Sequence, residues 1–513
     1  MNSGDTMVNA YVIGGQTGDE GKGKIVDALI HSLKIMHVVR FNGGNNAGHT
    51  LVFTPKQFSH LKGEVVVATH LVPSGIAYQS VQLHLARGMV IDFEQLNYEV
   101  LEIREKTGID VTSRLNIDRT AMLVLPQHRL LDLAEDLYKK RKFGESSGTT
   151  GRGIGPAYSS ETGRFEINPF LFEGDLSRFE SEVEEISYRI YERIRHEFQC
   201  CVDDFKNLFE EITKKEERAK KYLLERQIIP KNEISYKRFF KKYDFNTTAI
   251  AEAYWKYGQN FKGNLCDVME NLETALSKGE PILFEGAQGS NLDKRWGQQP
   301  NVTSSHTLST EIPLSAEIHL EEIDLRALVF KAYSTKVGTH VYVTEMQEGE
   351  STATLPDGTK EDLSERLRKI EFGATTGRQR MVGWFDLVEA RRYVRLNDAN
   401  ELIITKLDML TGADKIKVCT RYLDSRYIDN DTQVMYDELP NNNDLLKWMQ
   451  PVYAEFQGWK EDISGCKTFN ELPENAKKYL KFIELDLQQH SRTNPKLYII
   501  STGSRREQQF FVG

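Results

Sequence analysis

Cysteine is scarce in this chain and poorly placed for structural use. Its five residues, Cys200, Cys201, Cys266, Cys419 and Cys466, are scattered and odd in number, and the adjacent Cys200-Cys201 pair is a poor disulfide. No zinc-ligand spacing occurs among them, so a reducing compartment is expected. Long apolar runs are missing too: none approaches the about 20 residues that a membrane span needs. Residues 1–12 lack the basic flank and apolar core of a secretory signal. There is no cationic excess: 66 Lys and Arg face 75 Asp and Glu, a net charge of −9. That balance gives no electrostatic footprint for nucleic acid or an acidic membrane surface. Internal repeats and low-complexity segments are also absent. What remains is ordinary: 39% hydrophobic and 27% charged residues over 513 positions, enough for a large core. A cytoplasmic, soluble enzyme is the expected class.

One stretch carries more chemistry than any other. Tyr11-Val12-Ile13 reads as a short strand, residues 15–24 read Gly-Gln-Thr-Gly-Asp-Glu-Gly-Lys-Gly-Lys, and a helical pattern follows from Ile25. A strand, a glycine turn and a helix start make a phosphate cradle, because glycine lets backbone N–H groups converge on an anion and the helix end adds partial positive charge. Gly18 to Lys24 satisfies the G-x-x-x-x-G-K part of the P-loop pattern, but Ile25 stands where the Mg²⁺-binding hydroxyl belongs. In its place the loop carries an acid pair, Asp19-Glu20. An acid beside a bound phosphate can hold a metal or take a proton.

Short Val- and Ile-rich runs alternate with glycine turns and helical stretches up to about Phe170, as in Met36 to Arg40 and Glu64 to Ala68. This alternation predicts an α/β fold, P-loop-NTPase-like, with a largely parallel central sheet flanked by helices. Residues 175–276 turn to dense charge at helical spacing, with Phe179, Val183, Ile186, Ile190 and Ile194 on one face and a break at Ile228-Ile229-Pro230. They read as a charged helical insertion, for which a solvated face without a site is the favoured interpretation. Strands resume at Ile282-Leu283-Phe284, Leu402-Ile403-Ile404 and Leu497 to Ile500, and residues 423–492 read as an irregular cover. The expectation is one α/β domain over 1–513 containing both segments.

Two of the later strands end in polar motifs, where open α/β sheets place ligands. Thr405-Lys406-Leu407-Asp408 suits guanine, since a carboxylate can accept from N1–H and the 2-amino group while the lysine stem covers the ring. Ser501-Thr502-Gly503 is a further turn of the same kind. Asn42 to Thr50 is a second glycine-rich turn, and its His49 can act as a general acid near neutral pH. Ser147 to Pro156 joins hydroxyls, glycines and Arg152 in a natural monophosphate or carboxylate site. Gly373 to Arg380 repeats that theme with two arginines. Any of these loops alone could be a flexible surface turn.

Taken in order, residues 15–24, 43–50, 148–158, 284–289 with 302–305, 331–338, 371–380 with 383–387, 405–408 and 501–503 resemble the adenylosuccinate synthetase family, which joins aspartate to inosine monophosphate (IMP) using GTP. The resemblance implies a catalytic base and Mg²⁺ ligand at Asp19, a second Mg²⁺ ligand at the Gly48 carbonyl, a general acid at His49, and catalytic roles for Lys22 and Gln288. It implies GTP contacts from Gly18, Asp19, Glu20, Gly21, Lys22, Gly23, Lys24, Arg380, Lys406, Leu407, Asp408, Ser501, Thr502 and Gly503. It implies IMP contacts from Asp19, Glu20, Gly21, Lys22, Asn46, Ala47, Gly48, His49, Thr150, Gln288, Thr303 and Arg378, with Arg164 reaching the IMP phosphate of a neighbouring subunit in a homodimer. Ala374, Thr375, Thr376, Gly377, Arg378, Gln379 and Arg380 match the aspartate loop. Thr17 and Asn45 depart from the family's usual aromatic residue and histidine.

Two rivals are a sister ligase acting on another 6-oxopurine nucleotide such as dGMP, and a non-catalytic guanine-nucleotide sensor. Asp19 favours IMP over dGMP, whose ligases commonly carry a smaller residue there. Asp19, His49, Arg378 and Arg380 together favour an enzyme over a sensor.

Overall fold

The computed structural model describes residues 8–55, 57–144, 148–241, 243–337, 341–355, 357–372, 379–428, 433–440 and 442–512. The chain divides into two compact units, one formed by residues 1–34, 283–310 and 319–513, the other by residues 35–282 and 311–318. In each the main strands run largely parallel and helices accompany them, the α/β architecture read from the alternating runs.

In the first unit, Ala10–Gly14 lies between Ile282–Gly289 and Leu325–Lys331, parallel to both. Glu401–Thr405 and Lys496–Ser501 extend the parallel array, and Gln509–Phe511 closes its edge antiparallel. All five residues of Ala10–Gly14 are buried, which is why it reads as an unbroken apolar run and not as an alternating one. Ile282–Gly289 runs on past its apolar start through Glu285 to Gly289, residues whose composition reads as a turn. Gly289 explains the extension. A Cβ there would meet the Gln16 carbonyl at 2.4 Å, Glu20 Oε1 at 2.6 Å and the Gly18 nitrogen at 2.7 Å, so only glycine lets the strand lie against the loop.

Residues 423–492 are more regular than their polar composition suggests. Met449–Gln457 pairs antiparallel with Lys415–Asp424. The helix Glu474–Gln489 buries Ala476, Tyr479, Leu480, Ile483 and Leu487, an i, i+3, i+4 stripe, and sets Tyr479 against Phe456.

In the second unit, His37–Arg40, Gln82–Leu85, Leu115–Asp118 and Leu265–Cys266 pair in parallel. The Glu64 to Ala68 run belongs elsewhere: Val65–Thr69 forms an antiparallel hairpin with His49–Phe53. Residues 175–276 fold into the helices Leu176–Glu192, Val202–Glu225, Thr247–Gln259 and Val268–Lys278. Phe179, Val183, Ile186, Ile190 and Ile194 are all buried, as their spacing predicts. The second of these helices ends at Glu225, just before the Ile228-Ile229-Pro230 break.

Replacing Gly289 with alanine forces the strand and the loop apart. Gly289→Ala is expected to cost about 1–3 kcal/mol, the usual penalty of overpacking a tight contact, read as a lower urea midpoint with unchanged slope. A wild-type midpoint would show that the loop yields freely.

Candidate functional site

The glycine loop of the first unit is shaped from within. Gly18, Asp19 and Gly21 adopt left-handed backbone at φ 94°, 55° and 84°, and the helix Lys22–Leu33 starts immediately after. Aspartate is one of the few residues with a side chain that tolerates this region. The Gly15 N–H donates to the Val329 carbonyl (2.8 Å), and the Gln16 side chain accepts from the Lys331 N–H (3.0 Å). The two loop acids then part company. Glu20 is wholly buried and turns back under its own loop, where Oε1 accepts from the Gly18 N–H (2.7 Å) and Oε2 pairs with Lys22 Nζ (2.8 Å). Asp19 stays partly exposed, at 22% of its side chain, and ion-pairs with Arg380. Of the acid pair, Asp19 alone retains solvent access.

Further segments of this unit gather at the loop. Lys24 donates to Ser501 Oγ and to the Gly503 carbonyl (2.5 Å). Burial lowers the Lys24 ammonium to about 8, with the nearby Asp408 carboxylate working against the fall. Burial raises the Asp408 carboxyl, opposed by Lys24 and Lys406. Arg380 donates to Thr335 Oγ1 (3.2 Å), and Thr17 donates its hydroxyl to the Thr335 carbonyl. The amide of Gln288, a left-handed residue at φ 54°, has both its nitrogen and oxygen buried with no hydrogen-bond partner among the described residues. Such a group is costly unless something else satisfies it. The Thr303 N–H donates to the Leu292 carbonyl (2.8 Å), and Gln379 is exposed with its amide on the Arg368 carbonyl (3.1 Å). Ala374, Thr375, Thr376, Gly377 and Arg378 lie outside the described residues.

Sequence reasoning gave no role to Lys331 and Glu371. Lys331 has no exposed surface, lies 3.9 Å from Glu371, and donates to Thr335 Oγ1. Burial lowers it to about 7, against the pull of the Glu371 carboxylate and aided by Lys406 and Arg380. Burial also works against the Glu371 charge, yet Lys331 and then Lys406, at 2.6 Å, hold that carboxyl down at about 2. The available signal was a lysine placed directly at the end of an apolar strand, Leu325–Lys331.

The second unit carries the remaining candidates. His49 opens the strand His49–Phe53 opposite Thr69 and is buried. Asn46 Oδ1 accepts from the Gly44 N–H (3.2 Å), and the Ala47 carbonyl meets His70 Nδ1 (2.5 Å). Thr150 lies in a loop anchored by Asp132, whose carboxylate accepts from Thr149 Oγ1 (2.7 Å) and the Gly153 N–H (3.0 Å). Arg164 is exposed in left-handed backbone where the helix Ile154–Gly163 ends.

Among the described residues no group of three or more His, Cys, Asp or Glu could hold a metal, and no helix is long and apolar enough to cross a membrane. A lone accessible carboxylate at a phosphate loop fits Mg²⁺, which keeps waters and takes its other ligands from substrate phosphates; it does not fit an all-protein zinc site.

Strand, glycine turn, helix start and gathered cations define an α/β protein built to hold a polyanion. The chain matches the adenylosuccinate synthetase family over residues 11–510. It is 34% identical to an adenylosuccinate synthetase of Thermodesulfovibrio yellowstonii and 36% identical to one of Syntrophobacter fumaroxidans, each match covering 98% of both chains. It is also similar to the solved structure of fully ligated adenylosuccinate synthetase from Plasmodium falciparum, with a TM-score of 0.77 and 28% identity over 99% of this chain and 100% of that one. The chain belongs to the adenylosuccinate synthetase family.

Glu20→Gln removes the buried anion beneath the loop and leaves the Lys22 ammonium without its partner. A loss of about 3–5 kcal/mol in unfolding free energy is expected, as for breaking one side of a buried ion pair. A loss under about 1 kcal/mol would mean that solvent replaces the carboxylate and that it is no brace.

Proposed function

We propose that this protein is a carbon–nitrogen ligase that joins L-aspartate to C6 of IMP, with GTP converted to GDP and phosphate, through a 6-phosphoryl-IMP intermediate. Membership of the family supports the overall reaction. The observation that carries the residue assignment is the separation of the two loop acids: Glu20 is consumed internally, while Asp19 keeps solvent access and a releasable partner, Arg380.

The purine 6-oxygen is a poor leaving group until it is phosphorylated. In the proposed sequence the Asp19 carboxylate takes the N1 proton, and the 6-oxygen attacks the γ-phosphorus of GTP as GDP departs. The aspartate amine then attacks C6, and phosphate leaves with the former 6-oxygen. Lys22, from the helix start, and His49 offset the negative charge that builds on the transferred group. Gln288, whose buried amide lacks a partner among the described residues, is assigned to the purine nucleotide. Arg380 is assigned to the anionic substrates, whose approach releases Asp19. Asp19 and the Gly48 carbonyl would hold Mg²⁺, which neutralises phosphate charge when bound. Lys406 and Asp408 are assigned to guanine, Lys24 with Ser501 and Gly503 to the GTP site. Arg164, exposed at a helix end, is assigned to the IMP phosphate of a second subunit, so a homodimer is part of this reading. A cytoplasmic setting agrees with the five free cysteines.

Purified protein incubated with GTP, Mg²⁺, aspartate and IMP should release the succinylated purine, and dGMP in place of IMP should not. Product from dGMP alone would overturn the substrate, and tight GTP binding without product from either would favour a sensor. Asp19→Asn is expected to lower kcat by at least about 10²-fold, the usual range for losing a positioned base, with GTP affinity held within a few-fold. Near-normal turnover would remove the role of Asp19.

Because burial holds Lys24 at about 8, part of its population is neutral at pH 8. An arriving triphosphate favours the charged form, so GTP binding should take up protons between about pH 7.5 and 9. Calorimetry in buffers of different ionisation enthalpy reads the uptake directly, and it should shrink in Lys24→Met. Identical uptake in that variant would place the titrating group elsewhere.

A further inference from the structure

The helical segment 175–276 is more than a solvated face. Glu216, on its helix Val202–Glu225, has 1% of its side chain exposed and faces two arginines from outside the segment. The first is Arg129, on the helix Pro126–Phe143, itself 2% exposed, whose Nη2 lies 2.5 Å from Glu216 Oε1. Its Nε donates to the Gly151 carbonyl (3.3 Å), so one guanidinium connects the buried carboxylate to the glycine loop that carries Thr150. The second is Arg152, a residue of that loop, whose Nη1 lies 3.8 Å from the same oxygen and 3.5 Å from Gln95 Oε1. The other end of the Gln95 amide donates to Glu216 Oε2 (2.9 Å). Lys220, one turn along, lies 3.5 Å from Glu216 Oε2 and 2.8 Å from Glu94.

This arrangement is an expensive way to hold helices together. Removing a carboxylate and a guanidinium from water costs several kcal/mol per ion, and apolar residues of the same volume would pack the helices at least as well. What apolar residues could not do is fix the loop. Gly151 and Gly153 sit in left-handed backbone at φ 66° and 74°, accessible to glycine at little cost, and therefore specify little by themselves. Asp132 anchors one side of the turn, and Arg129 and Arg152 anchor the other through Glu216.

We infer that Glu216 is a positioning residue for the IMP 5′-phosphate, acting through Arg129 and Arg152 to hold the 148–153 loop in its binding shape. The inference rests on the assignment of Thr150 to IMP. It gives the helical segment a part in the reaction: the segment supplies the buried anion that the loop is built on.

Glu216→Gln keeps the size of the side chain and removes its charge. KM for IMP should rise about tenfold or more, while KM for GTP stays within twofold. Amide hydrogens of residues 149–153 should exchange at least tenfold faster than in the wild type. Gln95→Met, a milder change at a half-buried position, should raise KM for IMP two- to fivefold and keeps the test available if Glu216→Gln does not fold. Wild-type KM for IMP and wild-type loop exchange in the folded variants would overturn the inference and leave the ligase reading standing. So would a fall in Tm or active fraction with both KM values unchanged, which is what a merely structural role predicts. A wild-type protein inert towards IMP would overturn the ligase reading and this inference with it.

Discussion

The Glu20 carboxylate, buried beneath residues 15–24, is the constraint on which the first unit's site is built. Three left-handed residues in four give the chain freedom to turn, but that freedom alone selects no particular turn. Glu20 selects one, by accepting from the Gly18 N–H and from Lys22 at once. The neighbouring strand then has to tolerate a carboxylate at its surface. A Cβ at Gly14 would meet Glu20 Oε2 at 2.6 Å, and one at Gly289 would meet Oε1 at the same distance. The glycines at the ends of these two strands are therefore a consequence of where the acid lies. With Glu20 turned inward, Asp19 remains partly exposed, and Thr405 Oγ1 closes the loop from the next segment by donating to the Glu20 carbonyl (2.7 Å).

Around that loop the charge is arranged more tightly than a list of residues suggests. Lys331 is buried deeply enough to fall to about 7, with Glu371 and, more weakly, Glu20 opposing the fall. Glu371 in turn is shared, accepting from Tyr333 (2.5 Å) and pairing with Lys406 (2.6 Å). Lys331 also reaches Thr335 Oγ1, where Arg380 donates, and Arg380 leads on to Asp19. A single hydroxyl thus joins the Glu371 cluster to the acid of the loop. An anion that draws Arg380 away changes the setting of Thr335 and Lys331 as well, so these linked charges respond together.

Much of this was legible in the sequence, and the rest was hidden for definable reasons. The strands Ala10–Gly14, Glu401–Thr405 and Lys496–Ser501 and the helix Leu176–Glu192 follow from apolar runs and spacing, which are local signals. The glycine loop was legible because its residue types are chemically restrictive. The pairing of Val65–Thr69 with His49–Phe53 was not, since an apolar run of five does not say whether its partner is parallel or antiparallel. Ile282–Gly289 continues through a composition that reads as a turn, because its Gly289 answers to a loop more than 260 positions away in the chain. Glu20 and Asp19 are adjacent acids, and only the backbone turn at φ 55° sends them in opposite directions. Lys331, Glu371 and Glu216 are single charged residues whose meaning lies wholly in what they meet.

Within each unit the same solution appears at a glycine loop. Glycine supplies conformations that other residues resist, at the expense of definition, so a glycine loop that must keep one shape needs a brace from outside its own backbone. In the first unit a buried carboxylate two residues from Gly18 takes up the loop's N–H and an adjoining lysine. In the second, a buried carboxylate from a distant helix takes up arginines that grip the loop's carbonyl and its own side chain. A surface acid could not serve in either place, because water would compete for each of its bonds and the exposed pair would be worth at most about 1 kcal/mol. Burial makes the carboxylate costly, and the same burial makes its loss hard to compensate, so the loop is held to one shape.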